Sequence, residues 1–351
     1  MNVLVLGGGQ QGRVIAADLA RSLPGSRITV ADVRDPGLGA QANLRWLAAD
    51  CSDAAALARL IAQHDLAVGA LPSRFGYAAM QAAIEARRPL VDVSFCAEDP
   101  LALEAQARAA GVAILPDCGL APGLSHLCCG HAATQGELEE LVIYVGGVAE
   151  DRARPFGYVV TWSLEDLLEE YRRPARFVRE GRPRELPVFS EVESLEVDGA
   201  GTMEAFLSDG LRTLIATLPG VPAMKEKTLR WPGHAEAVQP LLQHGTFLET
   251  FRARCVEPRP RDLVAMVVLA RWRGRAARMT LVDRADPASG LTAMARTTAL
   301  TTSVTAQLVA RGGAREPGVH PLERVARDAD AHRFIVDEMA RRGVVLRWRD
   351  E

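Results

Sequence analysis

The sequence predicts an α/β protein with a doubly wound parallel sheet and a second, mixed-sheet α+β domain, and three observations carry that prediction. The run Val3-Leu4-Val5-Leu6 suits a strand buried on both faces, and it empties directly into Gly7, Gly9 and Gly12, spaced G-x-G-x-x-G. Strand-like and helix-like stretches then alternate to about residue 117. From Glu139 to about Asp283 the rhythm changes to short strand-like runs with few helices.

In the first stretch, Gly7 permits a tight turn out of the strand, Gly9 lets backbone approach a pyrophosphate, and Gly12 lets the next helix lie close to the sheet. Gln10 and Gln11 fall where a helix N-terminus offers unpaired N–H groups and positive dipole to phosphate. Arg13 to Ala20 reads as that helix and Arg27 to Ala31 as a second strand. Asp32 ends the strand, where a carboxylate accepts hydrogen bonds from an adenosine ribose. It favours NAD, because a carboxylate repels a 2′-phosphate; Arg34 either accepts such a phosphate or covers the adenine.

A helical stretch to Ala42 is expected next, then a strand at Trp46 to Asp50. Asp50 either reaches the adenine amino group or caps the helix starting near Ser52-Asp53. After a helix at Ala54 to His64, the strand Leu66 to Leu71 brings Ala70, Leu71 and Pro72 to the carboxyl edge of the sheet, where cofactor binds in such folds. A helix at 77–88 and the strand Pro89 to Ser94 follow, with Asp92 at the strand's exit. A helix at 101–110 and the strand Gly111 to Asp117 bring Asp117 to the same edge. Pro116 to Gly123 holds two prolines and two glycines before a helix running to about Ala133, as a cofactor turn or an interdomain hinge would.

In the second domain, strands are expected at 141–145, 158–163, 194–197, 204–207 and 227–231, with hairpins turning at Glu180-Gly181 and at Arg273-Gly274. Helices are expected at 164–171, 235–242, 292–311 and 333–342. The domains divide as 1–121 completed by 292–351, and 122–291.

The balance of 41 Lys+Arg against 44 Asp+Glu, net -3 with no block of one sign, points away from nucleic acid and anionic membranes. No apolar run reaches the length of a membrane span, and the N-terminus enters the first strand at once; a soluble cytoplasmic protein is expected. Cys51, Cys96, Cys118, Cys128, Cys129 and Cys255 lack metal-type spacing, so neither disulfide nor metal is expected.

These motifs resemble the saccharopine dehydrogenase-like family of amino-acid dehydrogenases over nearly the whole chain, most of all its lysine 6-dehydrogenase branch. The resemblance rests on Gly7 to Gly12, Pro116 to Gly123, Tyr144-Val145-Gly146-Gly147, Trp162-Ser163-Leu164-Glu165 and Leu168 with Tyr171. It continues through Met203 to Phe206, Lys227 to His234, Met294 to Ala299 and Gly318 to Glu323. His126 is closer to the saccharopine branch, and the segment near 257–275 is shorter than usual. The resemblance implies a Rossmann domain carrying NAD, a second domain covering the nicotinamide, and a homodimer. It also implies oxidative removal of the ε-amino group of L-lysine, with the semialdehyde cyclising onto its α-amine.

Such chemistry requires a neutral amine, yet a lysine ammonium of pKa about 10.4 is neutral only about once in 2,500 at pH 7. A general base or an alkaline optimum follows. His234 is the first candidate base, with a structural histidine as its alternative; Asp92 and Asp117 are in reserve. Arg230, then Lys227, would clamp the α-carboxylate; three residues apart on a strand, they face opposite sides. Glu204 would hold the α-ammonium unless it is simply solvated, and Thr213 and Trp162 would form walls. Two other readings stay open: a saccharopine-type secondary-amine oxidoreductase, whose substrate carries three carboxylates, and a nucleotide-binding protein without turnover.

Overall fold

The computed structural model describes residues 1–351. In chain order the elements are β1 (Asn2–Leu6), α1 (Gln10–Ser22), β2 (Arg27–Asp32), β3 (Leu44–Ala48), α2 (Ala54–Ala62), β4 (Leu66–Gly69), α3 (Ser73–Glu85), β5 (Leu90–Asp92), α4 (Glu104–Ala110), β6 (Ala113–Leu115) and α5 (Leu124–Thr134). Then come β7 (Leu138–Ala149), α6 (Leu164–Glu170), β8 (Ala175–Arg179), β9 (Arg182–Leu186), β10 (Glu193–Val197), β11 (Gly201–Ser208), α7 (Leu214–Thr217), β12 (Ala223–Arg230), α8 (His234–Gln243), α9 (Phe247–Arg254), β13 (Asp262–Trp272) and β14 (Arg275–Arg284). The chain closes with α10 (Ala293–Ala310), β15 (Gly318–Val319), α11 (Leu322–Val325), α12 (Ala329–Arg341) and β16 (Arg347–Asp350).

Two units result: residues 1–130 with 298–342, and residues 131–297 with 343–351. The first holds a seven-stranded sheet in the order β15-β6-β5-β4-β1-β2-β3, parallel throughout. Its strands are apolar because both faces are covered, with Leu4, Leu6, Ala67 and Ile114 packed on Ile61 and Met80 of the helices. Polar side chains buried in this unit are paired. Asp18 on α1 accepts from Ser303 Oγ (2.7 Å) and Arg342 Nε (3.0 Å), tying α1 to the C-terminal helices.

The second unit holds a nine-stranded mixed sheet around β7, which runs parallel to β12 and antiparallel to β13. Side chains alternate between its faces. One face gathers Tyr144, Met203, Leu229 and Val267, the other Phe206 against Tyr158, Leu167, Val238 and Phe251 of the covering helices and loop. Arg284 on β14 donates to the Gly199 carbonyl in the β10–β11 turn (2.7 Å), so the sheet curls over its first face.

Asp262, the first residue of β13, caps α10: its oxygens accept from Ala293 N (2.6 Å) and Met294 N (2.9 Å). Burial pushes its carboxyl up to about 6, against the pull of those two N–H groups. Replacement of Asp262 by alanine is expected to cost about 2 kcal/mol, the upper range for a lost cap, measured by urea unfolding; a loss below about 0.5 kcal/mol would show that the cap is dispensable.

Four expectations need correction. Residues 33–43 form an irregular loop rather than a helix, because Pro36, Gly37 and Gly39 interrupt any helical ladder. Residues 158–163 are a loop and not a strand: Tyr158 and Val159 are apolar because they are buried, and Val160 N bonds the Cys255 carbonyl instead of a sheet neighbour. Residues 343–351, expected with the first domain, belong to the second unit, where β16 pairs with β14. Residues 122–130 and 292–297 also fall on the other side of the expected boundaries. No helix is long and apolar enough to cross a membrane. All six cysteines are buried and free, and no group of three or more His, Cys, Asp or Glu side chains is placed to hold a metal ion.

Candidate functional site

In the first unit the glycine turn has the geometry its spacing predicts. Gly7 lies at φ +93°, reachable without strain only by glycine, and donates its N–H to the Ala31 carbonyl at 2.8 Å. A Cβ there would stand 2.6 Å from the Ala70 carbonyl oxygen. Gly12 presses α1 onto the turn so closely that a Cβ would overlap the Gly7 carbonyl oxygen. Gly9, which precedes α1, has nothing within 4 Å of a Cβ position, and no side chain caps the helix. This end of α1 therefore offers open N–H groups.

Gln11 carries a buried amide whose nitrogen and oxygen both lack partners, an arrangement costly in a protein without a polar ligand beside it. Gln10 is exposed. Asp32 accepts from Gly8 N (2.7 Å) and Arg34 N (2.9 Å), one bond to each oxygen, which leaves lone pairs for ribose hydroxyls. The Arg34 side chain is exposed. Asp50 is exposed and accepts from Ser52 N (2.9 Å), whereas the cap of α2 is Asp53, bonded to Ala56 N. At the end of β4, Ala70 and Leu71 are half-buried and Pro72 is exposed where α3 begins. Open backbone at Gly9, the unpartnered amide of Gln11 and the free capacity of Asp32 fit a dinucleotide.

Asp92 is fully buried at the end of β5. Its Oδ1 accepts from Ser94 N (2.8 Å) and the Ser94 hydroxyl, its Oδ2 has no partner, and burial raises it to about 7 despite those bonds. Asp117 is 2% exposed and held at φ +55°. Cys118 is fully enclosed, its thiol pushed well up by burial.

In the second unit β12 sorts the predicted residues by face. Glu226, Thr228 and Arg230 share one face with Phe206, while Lys227 points to the other beside Tyr144. Lys227 is 1% exposed; its Nζ sits 2.7 Å from Glu193 Oε1 and donates to the Glu191 carbonyl. Its role as a clamp is corrected to a buried ion pair.

Arg230, 3% exposed, donates through Nε to the Tyr171 hydroxyl (2.7 Å) and through Nη1 to the Leu229 carbonyl (2.9 Å). Its Nη2 lies 3.4 Å from Glu170 Oε1. Burial acts against its charge, but Tyr171, Glu170 and Tyr158 outweigh it and hold the guanidinium protonated. Glu170, at the end of α6, also accepts from the Thr228 hydroxyl at 2.8 Å. Nothing in the sequence flags Glu170, since its partners lie about sixty residues downstream on β12.

The Tyr171 hydroxyl continues to His234 Nε2 (2.9 Å), and His234 Nδ1 lies 2.8 Å from the Phe156 carbonyl. A carbonyl only accepts, so Nδ1 carries the proton and Nε2 accepts from tyrosine. Burial, then the charge of Arg230, drives the imidazole down to about 3. The base assignment of His234 is thus corrected: the ring is neutral, enclosed and fully bonded. Glu204 is corrected as well, because its two oxygens accept from Gly233 N (3.0 Å) and Ala235 N (2.8 Å) and cap α8. Trp162 is half-buried and donates to the Tyr158 hydroxyl (3.0 Å). Thr213 is buried at the start of α7 with its hydroxyl unpartnered.

The family model for the saccharopine dehydrogenase C-terminal domain matches residues 119–344, and that for the saccharopine dehydrogenase NADP binding domain matches residues 3–115. The chain belongs to the saccharopine dehydrogenase family. Among its relatives, saccharopine dehydrogenase [NADP(+), L-glutamate-forming] of Schizosaccharomyces pombe is 26% identical over 59% of this chain and 49% of its own length. The Pyricularia oryzae protein of the same name is 30% identical over 38% of this chain and 31% of its own. The match therefore spans half or less of those relatives. The solved apo saccharopine dehydrogenase (L-Glu forming) of Saccharomyces cerevisiae superposes with a TM-score of 0.77 at 18% identity, covering 100% of this chain and 99% of that one, a likeness of fold.

Proposed function

We propose that this family member is an NAD-dependent amino-acid dehydrogenase that passes a hydride from the ε-carbon of L-lysine to NAD. Water then adds to the resulting iminium and ammonia departs, giving 2-aminoadipate 6-semialdehyde, NADH and ammonia. The observation carrying the substrate reading is the charge count on the working face of β12: Arg230 is its one cation, and Lys227 is turned to the opposite face. One clamp suits one α-carboxylate, whereas saccharopine presents three. The coenzyme reading is supported by Asp32, whose carboxylate accepts ribose hydroxyls and repels a 2′-phosphate.

On this reading the N–H groups at Gly9 to Gln11 hold the pyrophosphate, Gln11 pairs its amide with the ligand, and Ala70 to Pro72 border the site. Bound nicotinamide supplies the two-electron acceptor. Arg230 orients the substrate through its carboxylate. His234 has both ring nitrogens bonded, and Asp92 and Asp117 are buried in the first unit, so this reading calls on no protein base. The amine then sheds its proton before oxidation, and kcat/KM for lysine is expected to rise about tenfold per pH unit from pH 7 toward the lysine pKa of about 10.4. A flat profile across pH 7 to 9 would demand a protein base.

The deciding experiment screens lysine, saccharopine and other amino acids with NAD and NADP, following reduced coenzyme and ammonia together. Lysine-dependent NADH and ammonia in equal amounts is the expected result. Saccharopine oxidation without ammonia would establish the second reading, which the names of the relatives favour; coenzyme binding without any turnover would leave a nucleotide-binding protein. Asp32→Ala is expected to weaken NADH binding about 50-fold while sparing NADPH, the scale of charge-assisted hydrogen bonds. Unchanged NADH affinity in a fluorescence titration would remove the ribose assignment.

A further inference from the structure

We infer that Glu170 is the ammonium-recognising residue of the amino-acid site, forming with Arg230 a two-charge cradle for the α-ammonium and α-carboxylate of a free amino acid; this rests on the dehydrogenase reading above. The case begins with the acidic side chains around this face of the second unit. Both oxygens of Glu204 cap α8. Asp209 is occupied by Arg176, through Nε at 2.7 Å and Nη2 at 2.9 Å. Glu226 is buried, 5% exposed, with its carboxyl against Gly210. Glu170 differs from all three. Its Oε1 receives the Thr228 hydroxyl and the Arg230 guanidinium, its Oε2 has no partner, and the side chain is 18% exposed.

The donor side is complementary. Arg230 spends three of its five N–H donors, on Tyr171, Leu229 and Glu170, and the bond to Glu170 at 3.4 Å is long for a charge-assisted pair. Two N–H groups remain on the terminal nitrogens, beside an anionic oxygen with open lone pairs. The Tyr171 hydroxyl is committed to His234, which fixes the guanidinium plane and keeps its Nε from turning toward a ligand. The pair is neutral overall, matching a zwitterion, so binding one leaves no charge unanswered. A second substrate carboxylate at this point would face Glu170 and be repelled, so the same residue selects against polycarboxylates.

Glu170→Gln tests the assignment, because it keeps the shape and the bonds to Thr228 and Arg230 and removes only the charge. L-Lysine is compared with 6-aminohexanoate, which lacks the α-ammonium, by calorimetric titration into the NADH-bound protein and by steady-state kinetics. Wild-type protein is expected to prefer lysine by about 30-fold, the order of one charge-assisted contact. In Glu170→Gln that preference collapses, the KM for lysine rises about 30-fold, more than kcat falls, and 6-aminohexanoate binds as before. Glu170→Asp, which retains the charge, restores part of the preference. An unchanged preference in Glu170→Gln, or equal loss of both ligands, overturns the cradle while leaving the dehydrogenase reading intact. Wild-type protein with no preference for lysine overturns it without any variant. A wild type that neither binds nor oxidises lysine overturns the function reading and the cradle with it.

Discussion

Gly12→Ala is expected to weaken coenzyme binding by at least about 100-fold and to destabilise the protein by about 3 kcal/mol, the upper range for overpacking. The new methyl would overlap the Gly7 carbonyl oxygen and touch the Ala70 Cβ at 3.4 Å. Neither can give way easily. Gly7 is pinned by its φ of +93° and its bond to Ala31, and Ala70 N is bonded to the Leu6 carbonyl. The remaining relief is to push α1 outward, which carries its N-terminal N–H groups away from the phosphates they serve. Gly9→Ala is the informative contrast. Its methyl meets nothing within 4 Å, so thermal stability should hold while NADH affinity falls, because the space it fills is the ligand's. Melting curves and NADH titrations of the two variants separate the roles; a Gly9→Ala protein that binds NADH normally would show that backbone does not approach the pyrophosphate there.

His234→Ala is the second large effect, and its sign with pH identifies the cause. At pH 7.5 the variant should lose about 3 kcal/mol, since the Tyr171 hydroxyl loses its acceptor and the Phe156 carbonyl its donor in a closed interior. The unfolded imidazole titrates near 6.5 and the native one near 3. Between those values the unfolded state binds more protons, so the contribution of His234 is complete above about pH 6.5 and is lost as pH falls, at about 1.4 kcal/mol per unit. The destabilisation measured by urea unfolding should therefore shrink toward zero by about pH 4.5. Asp92 and Asp262, raised to about 7 and 6 by burial, act in the opposite sense, favouring the native state as pH falls. Only the difference between wild type and variant isolates the histidine. A penalty independent of pH would show that the ring is not held neutral.

What could be read from the sequence was whatever depends on neighbours along the chain. The glycine turn, the hairpin at Arg273-Gly274 and the helix ending at Gly312-Gly313 are local devices, and each forms where the residues indicate. Opposite facing of 227 and 230 follows from strand geometry alone, and β12 realises it. Most of the misreadings share one origin, a partner distant in sequence, whereas the loop at 33–43 is set locally by Pro36, Gly37 and Gly39. Glu204 looked available because nothing near it reveals that Gly233 and Ala235, about thirty residues on, need an acceptor. His234 resembled a base until Tyr171 and Phe156, more than sixty residues earlier, occupied both ring nitrogens. Glu170 passed unnoticed for the same reason. Tyr158 and Val159 carry strand-like residues, yet their apolar character answers burial in a loop.

The chain leaves the first unit after residue 130, re-enters it at 298 and leaves it again after 342, so neither unit is one uninterrupted stretch. During synthesis the nascent amino-terminal sheet waits, without α11, α12 and most of α10, until residues 298–342 have been translated. Folding domain by domain as the ribosome proceeds is closed to such a thread. Cutting it at residue 130 would leave the amino-terminal fragment without residues 298–342, which stay on the other fragment together with all of the second unit. Trimming the final nine residues would strip β14 of its outer neighbour and bare an edge open to aggregation.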